Sequence, residues 1–291
     1  MRLACCGLIL GLSGLASAQF PDVQIKLDLR PTYLSSRGGR TTFRWYDPMG
    51  RHSTVGVVLT LEPGYRFYVA QRLQKIDGDP DRDQLDEMYL EDPGNWRIGR
   101  QYLPFGSKTM LRESVMSAEA ETQLVLAALP LDIAACDGGK GRQRGVVGRI
   151  GGRFGVSFAV GDHFGISGSA FNQIRNAFDS PGLGRGHRLA LGADYVYGFG
   201  AFTLGAEYVA LRRGETDDDP DHDITDLRVT YRSPWPRFRL SVAWSREWKA
   251  KEDFYRIEGE VPIGNKLSVL PFLRFSGGQW QDFGVTARVR F

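Results

Sequence analysis

The sequence predicts an all-β fold, a transmembrane antiparallel β-barrel of about sixteen strands, within a range of about fourteen to eighteen. Three observations predict it. First, the closing stretch Gln281–Phe291 alternates: Phe283, Val285, Ala287, Val289 and Phe291 share one parity, and Asp282, Gly284, Thr286, Arg288 and Arg290 the other. A strand sends successive side chains to opposite faces, so one face is apolar and one is polar. Second, the pattern recurs along most of the chain in segments about ten residues long, the length a tilted strand needs to cross hydrocarbon. Third, tight Pro- and Gly-bearing turns alternate with longer polar connections, as expected for short periplasmic turns and longer outer loops.

The first strand is expected over Asp22–Leu34, with Val23, Ile25, Leu27 and Leu29 alternating against Gln24, Lys26, Asp28 and Arg30. Pro31 has no amide hydrogen for a central ladder and is expected near a rim. Ser35–Ser53 reads as one outer connection. A hairpin at Thr41–Tyr46 is not counted as a wall strand, because it would make the number odd. Val55–Leu61 and Tyr65–Arg72 flank the turn Glu62-Pro63-Gly64. After the acidic loop Ile76–Asp83, Gln84–Glu91 and Asn95–Leu103 flank Asp92-Pro93-Gly94. Pro104–Ala118 reads as a longer connection. Glu119–Ala128 and Leu131–Cys136 pair around Leu129-Pro130.

Gly145–Val160 is the longest uninterrupted alternation, and Gly161-Asp162 is expected to turn the chain into Phe164–Ala170. The loop Asn172–Gly186 follows. Leu189–Tyr197 and Phe202–Tyr208 enclose Gly198-Phe199-Gly200. A second acidic loop spans Gly214–Asp223. Leu227–Tyr231 and Phe238–Trp244 join through Ser233-Pro234-Trp235-Pro236, and Phe254–Val261 and Leu267–Phe275 precede the closing strand.

Composition agrees with one large barrel. The chain has 291 residues, 24% of them charged, and a mean hydropathy of -0.29, which excludes a helical membrane protein. The single long apolar run, Leu3–Ala18, follows Arg2 and ends in Ala16-Ser17-Ala18, so residues 1–18 are expected to be a cleaved signal peptide and 19–291 the barrel. Cys5 and Cys6 leave with that segment. Cys136 then stands alone, expected as a small apolar filler, and builds no disulfide or metal cluster. A net charge of +3 is too small to argue for nucleic acid.

In hydrocarbon the apolar parity must face lipid, because only a closed sheet leaves no unpaired backbone group there. The opposite parity carries Lys26, Arg66, Arg72, Arg97, Arg149, Arg153, Arg188, Arg228, Arg232, Arg237, Arg239, Arg256, Lys266, Arg274, Arg288 and Arg290. So many charges would be heavily unfavourable in a dry core, so they are expected to line water. Acids of that parity are fewer (Asp28, Asp194, Glu207, Asp226, Glu258, Glu260 and Asp282), so the lumen is expected to favour anions. Any single arginine is more simply a cross-strand brace than a solute contact. Tyr65, Trp96, Tyr102, Tyr208, Tyr231 and Trp244 are candidates for aromatic girdles.

Leu85–Glu91 followed by Trp96–Gly106, with Gly99 and Pro104-Phe105-Gly106, resembles the hairpin of the phosphate-selective porin O/P family. The resemblance covers about thirty residues and implies a sixteen-stranded, often trimeric, anion-conducting barrel of the bacterial outer membrane. The family's lysine-rich binding zone is not recognisable; arginines carry the charge instead. By resemblance to sixteen-stranded porins, the loop after the fifth strand folds into the lumen, making Lys108, Arg112 and Glu113 constriction candidates. The plainer reading is an ordinary outer loop. An alternating last strand ending in Phe also looks like the terminus that barrel-assembly machinery reads.

No enzyme chemistry is expected. His52, His163, His187 and His222 lie in or beside turns, and no two have metal-ligand spacing on one strand. The glycine pairs fall within strand alternation rather than in phosphate loops. The expected function is passive diffusion of small hydrophilic, preferentially anionic, solutes, with no cofactor and no metal. Expected contacts are outer-membrane lipid and lipopolysaccharide, with a homotrimer implied by the resemblance. The alternatives are a plugged structural or surface-interaction barrel and, third, a membrane lipid hydrolase.

Overall fold

The computed structural model describes residues 22–47, 51–61, 64–74, 84–108, 110, 114–124, 129–138, 143–164, 186–214, 220–234 and 237–291. The expected signal peptide, the acidic loop 76–83 and residues 165–185, which hold most of the expected loop Asn172–Gly186, lie outside them.

Short strands build the first part of the wall. β1 (Asp22–Leu29) and β2 (Thr32–Ser36) follow one another along a single wall position. β3 (Thr41–Arg44) pairs with β2 and β4 (Thr54–Thr60) with β1, so these two also share a position. β5 (Arg66–Arg72), β6 (Leu85–Asp92), β7 (Trp96–Tyr102), β8 (Ser114–Leu124), β9 (Leu129–Asp137) and β10 (Arg144–Gly151) continue as antiparallel neighbours. So do β11 (Phe154–Phe164), β12 (His187–Phe199), β13 (Phe202–Gly214), β14 (His222–Arg232), β15 (Arg239–Glu247), β16 (Glu252–Pro262), β17 (Leu267–Ser276) and β18 (Gln279–Arg290). β18 pairs with β2 along its outer part and with β1 at Asp28↔Arg290 and Leu29↔Val289. Phe291 and Leu27 exchange two backbone hydrogen bonds of 3.0 Å at the seam. The result is a closed sixteen-stranded antiparallel barrel.

Several expected boundaries differ. Pro31 lies within the wall, where it splits the first strand, rather than at a rim; its carbonyl still accepts from Ala287 N at 3.0 Å. Thr41–Arg44 does belong to the wall, but in line with β4, so it adds no strand position. β8 begins at Ser114, inside the expected connection, and Leu129-Pro130 opens β9 rather than forming the turn. The long alternation 145–160 is two strands. Gly151 pairs with Gly155 and Ile150 with Val156, so like parities face each other and the alternation runs unbroken through the turn. Gly161-Asp162 does not turn the chain; β11 continues to Phe164. The expected strand beyond it lies outside the described residues. Among the described strands, β11 pairs directly with β12 and the wall has sixteen positions.

Both ends of the described barrel, with the turns at 61–65, 93–95, 152–153, 200–201, 233–238 and 263–266, lie on one rim, called here the short-turn rim. The other rim holds the longer connections, but also tight turns at 37–40, 248–251 and 277–278, so the expected division of turns by side is incomplete.

The outward parity is apolar around the ring, with Ile25, Ile98, Val156, Leu191, Val229, Val242 and Phe283 exposed. An exposed skin of this kind is unfavourable in water and matched to hydrocarbon, while the closed ladder leaves no edge for lipid to solvate. Near the short-turn rim, Tyr195, Tyr197, Phe199, Phe202, Tyr231 and Phe238 form a chain of ring contacts, each 5.1–6.1 Å between centroids, and Tyr65 meets Trp96 at 5.8 Å. Tyr208 and Trp244 lie towards the other rim, bonded to Asp223 and Asp253. Tyr102 is not in a girdle: it is buried and donates to Asp86 at 2.7 Å.

Candidate functional site

The inward face is neither uniformly wet nor uniformly charged. Over β8 to β14 its upper part is an apolar cluster that includes Val115, Cys136, Val147, Ala159, Ala190, Val209, Leu211 and Ile224, with Leu103, Phe105 and Met110 packed against it. The chain after β7 therefore enters the barrel. Gly106 N donates to Ser157 Oγ at 2.9 Å, and Ser107 Oγ donates to Glu207 at 2.5 Å, so the segment is tied to β11 and β13. Gly192 makes room for it: a Cβ there would lie 2.8 Å from the edge of the Phe105 ring. Gly106 adopts φ of +55° against the Glu207 carboxylate, a left-handed position where a Cβ would collide with that side chain. Lys108 is described on this segment, at a φ of 57°. Arg112 and Glu113 lie outside the described residues.

A second inward segment was not legible in the sequence. Between β3 and β4, Asp47 and Arg51 turn into the barrel and join an ion-pair chain. Arg288 contacts Asp28 at 2.5 Å, Asp28 contacts Arg30 at 3.0 Å, and Arg30 contacts Asp47 at 3.1 Å. Asp47 contacts Arg51 at 2.5 Å, and Arg51 reaches Glu258 on β16 at 3.1 Å. Burial alone would pull the Arg51 guanidinium down, but Asp47 and Glu258 outweigh it and hold it above its ordinary range. The chain fastens this segment across the β16–β1 side.

The candidate lining residues separate into groups. Arg66 and Arg97 share Glu91 at 3.0 and 2.9 Å. Arg228 and Arg256 share Asp226, and Arg239 and Arg290 share Glu260 at 2.6 and 3.1 Å. The last two sets place two guanidiniums on one carboxylate, whereas Arg97 also lies 3.8 Å from Glu121. Arg149 pairs with Asp194 at 2.6 Å, Arg72 with Asp86 at 2.8 Å, and Arg274 with Asp282. Lys26 stands over the Tyr68 ring at 5.7 Å. Arg72 and Arg256 are buried rather than in water, which corrects the expectation that all these charges are wet. Their pairing explains how burial is tolerated: each guanidinium has a carboxylate in contact, and removing it would leave a charge stranded. Arg153 and Arg237 are not on strands; they sit in the β10–β11 and β14–β15 turns, exposed at the short-turn rim.

That rim also gathers residues far apart in sequence. Arg232, Arg237, Arg239, Glu260 and Arg290 line one recess of about 740 Å³ together with Ala201, Pro234, Phe238 and Pro262. The opposite end holds a buried cluster that sequence spacing could not reveal. His187 and His222 rings meet at 5.6 Å, and His222 Nδ1 lies 3.3 Å from Glu247. Three strands supply these groups, so no local motif exists. Among the described residues, no group of His, Cys, Asp and Glu is arranged to hold a metal ion.

No protein-family model matches the sequence. No curated protein matches it either. Solved structures do match in fold. The outer membrane channel DcaP of Acinetobacter baumannii aligns with a TM-score of 0.63 at 13% identity, covering 96% of this chain and 100% of that one. The in-vitro folded OmpT of Vibrio cholerae, an outer membrane protein in trimer form, aligns at 0.60 and 10% identity, covering 94% and 100%. An anion-selective porin from Comamonas acidovorans aligns at 0.58 and 11% identity, covering 93% and 99%. The chain has the fold of these outer-membrane barrels along nearly its whole described length.

Proposed function

We propose that the protein is an outer-membrane porin, a passive channel for small hydrophilic solutes with a preference for anions, and not an enzyme. The observation that carries this reading is the contrast between faces. Apolar side chains cover the outside, while two inward sets, at Asp226 and at Glu260, place two arginines on one carboxylate. Each of these two sets carries one more guanidinium than carboxylate, and a low-dielectric wall focuses such charge along the lumen. The fold shared with DcaP and with the anion-selective porin supports the same reading.

We place residues 1–18 as a cleaved signal peptide and the rest in the bacterial outer membrane, in contact with its lipid and lipopolysaccharide. The trimer form of one structural neighbour is consistent with a homotrimer. Segment 103–110 narrows the lumen in this reading. The resemblance of the β6–β7 hairpin to the phosphate-selective porin O/P family is a finer proposal. Because the inward cations here are almost all arginines, we favour general anion preference over phosphate selectivity.

One observation favours a second reading, an occluded structural barrel: the two inward segments bury apolar and charged groups inside the ring. Liposome swelling separates the two. Folded barrel in proteoliposomes is expected to admit small sugars and amino acids at rates that fall with solute size. Folded protein that admits none of them supports occlusion and ends the channel reading.

A further inference from the structure

We propose that His187, His222 and Glu247 form an acid-released clasp at the long-connection rim, closed near neutral pH and opened when the imidazoles take up protons. The proposal does not rest on the channel reading and holds for a conducting or an occluded barrel. His187 opens β12, His222 opens β14 and Glu247 closes β15, so the clasp ties the ends of three strands. Their exposures are 0%, 3% and 0%. Beside His222, Arg212 and Asp223 form an ion pair on the outward face, which places the clasp outside the hydrocarbon.

The hydrogen bonds assign the protons. His187 Nε2 donates to Pro220 O at 3.1 Å, since a carbonyl can only accept, and His187 Nδ1 is buried with no partner. His222 Nδ1 donates to Glu247 at 3.3 Å, and that carboxylate also accepts from Asp223 N at 3.4 Å and from Ala250 N. His222 Nε2 is then the second buried nitrogen with no partner. Each ring is therefore neutral, with its lone pair facing no donor. A further proton on either ring would have no acceptor. It would charge a ring whose partner lies 5.6 Å away, against Phe164, Leu211 and Ile224. The surrounding charges are paired among themselves. Arg212 meets Asp221 and Asp223, Lys249 meets Asp221 at 3.7 Å, and Arg188 meets Asp162 at 3.8 Å. On β11, His163 precedes the Phe164 that pairs with His187. Burial holds the His222 imidazole below its ordinary value against the pull of Glu247, while His187 and Lys249 oppose the proton. The unfolded chain thus takes that proton more readily. The stability it contributes is whole above about pH 6.5 and is lost as pH falls below it.

The test is amide hydrogen exchange, read by mass spectrometry on the folded full chain in lipid vesicles, with exchange times scaled for the intrinsic effect of pH. Amides at 188–191 and 223–226 are expected to exchange about tenfold faster at about pH 5.5 than at about pH 7.5, while the middles of the same strands stay protected. H187Q/H222Q is expected to lose this acid response, because glutamine keeps a donor and cannot be charged; H222Q alone serves if the double variant does not fold. H163Q is expected to keep it. Equal protection at both pH values in the parent overturns the clasp. An acid response intact in H187Q/H222Q, or lost in H163Q, assigns it to other groups and overturns it too. Acceleration along whole strands would mean global unfolding and would equally reject a local release.

Discussion

At the scale of single residues, the inward charges divide into structural and electrostatic roles. Arg72 and Asp86 are both buried, and Tyr102 also donates to Asp86. Asp86→Ala removes the carboxylate and leaves the guanidinium desolvated, so urea unfolding in detergent is expected to show a loss of about 3–5 kcal/mol. Glu260 is different, because it restrains two arginines at an open mouth. Glu260→Gln is expected to cost little stability and to raise the anion preference, read as a larger reversal potential in a salt gradient. Parity in the sequence suffices to place Arg72 and Glu260 inward, but it does not mark Asp86 and leaves Tyr102 a girdle candidate. It could not say which carboxylate each would meet, since partners such as Arg149 and Asp194, or Arg288 and Asp28, come from distant segments.

At the scale of elements, the segment after β7 is the most informative. Its entry into the barrel depends on Gly192 clearing the Phe105 ring and on Glu207 and Ser157 holding the backbone at 106–107. Gly192→Leu is expected to push the segment off the wall while the strands remain paired. Single-channel conductance should then rise or become noisy; a conductance identical to the parent would deny the segment any part in narrowing the path. Glu207→Ala, which removes one anchor, is expected to act in the same direction at a cost of about 1–3 kcal/mol in stability. The sequence made this segment visible through a resemblance, not through its own pattern. Asp47 and Arg51 carried no such sign, because polar residues that turn inward look the same in sequence as ones that stay in solvent. The β10–β11 turn was hidden for a geometric reason, the even register that carries alternation straight through it.

At the scale of the whole molecule, the barrel was legible because period-two alternation is a property of every strand, and one misplaced boundary does not disturb it. Strand number follows from the same property, although the alternation at 145–160 hides a turn and so reads as one strand where there are two. The apolar filling over β8 to β14 was not legible, since Val209, Leu211 and Ile224 have inward parity in strands whose outward residues are equally apolar. The central claim is a lipid-facing shell around a conducting, net-positive lumen. It is tested most directly by the reversal potential of the purified folded barrel in a planar bilayer under a potassium chloride gradient. Discrete conductance steps with a reversal potential of the sign for chloride over potassium are predicted. A reversal potential of the cationic sign, or folded protein that yields no steps, would contradict the account.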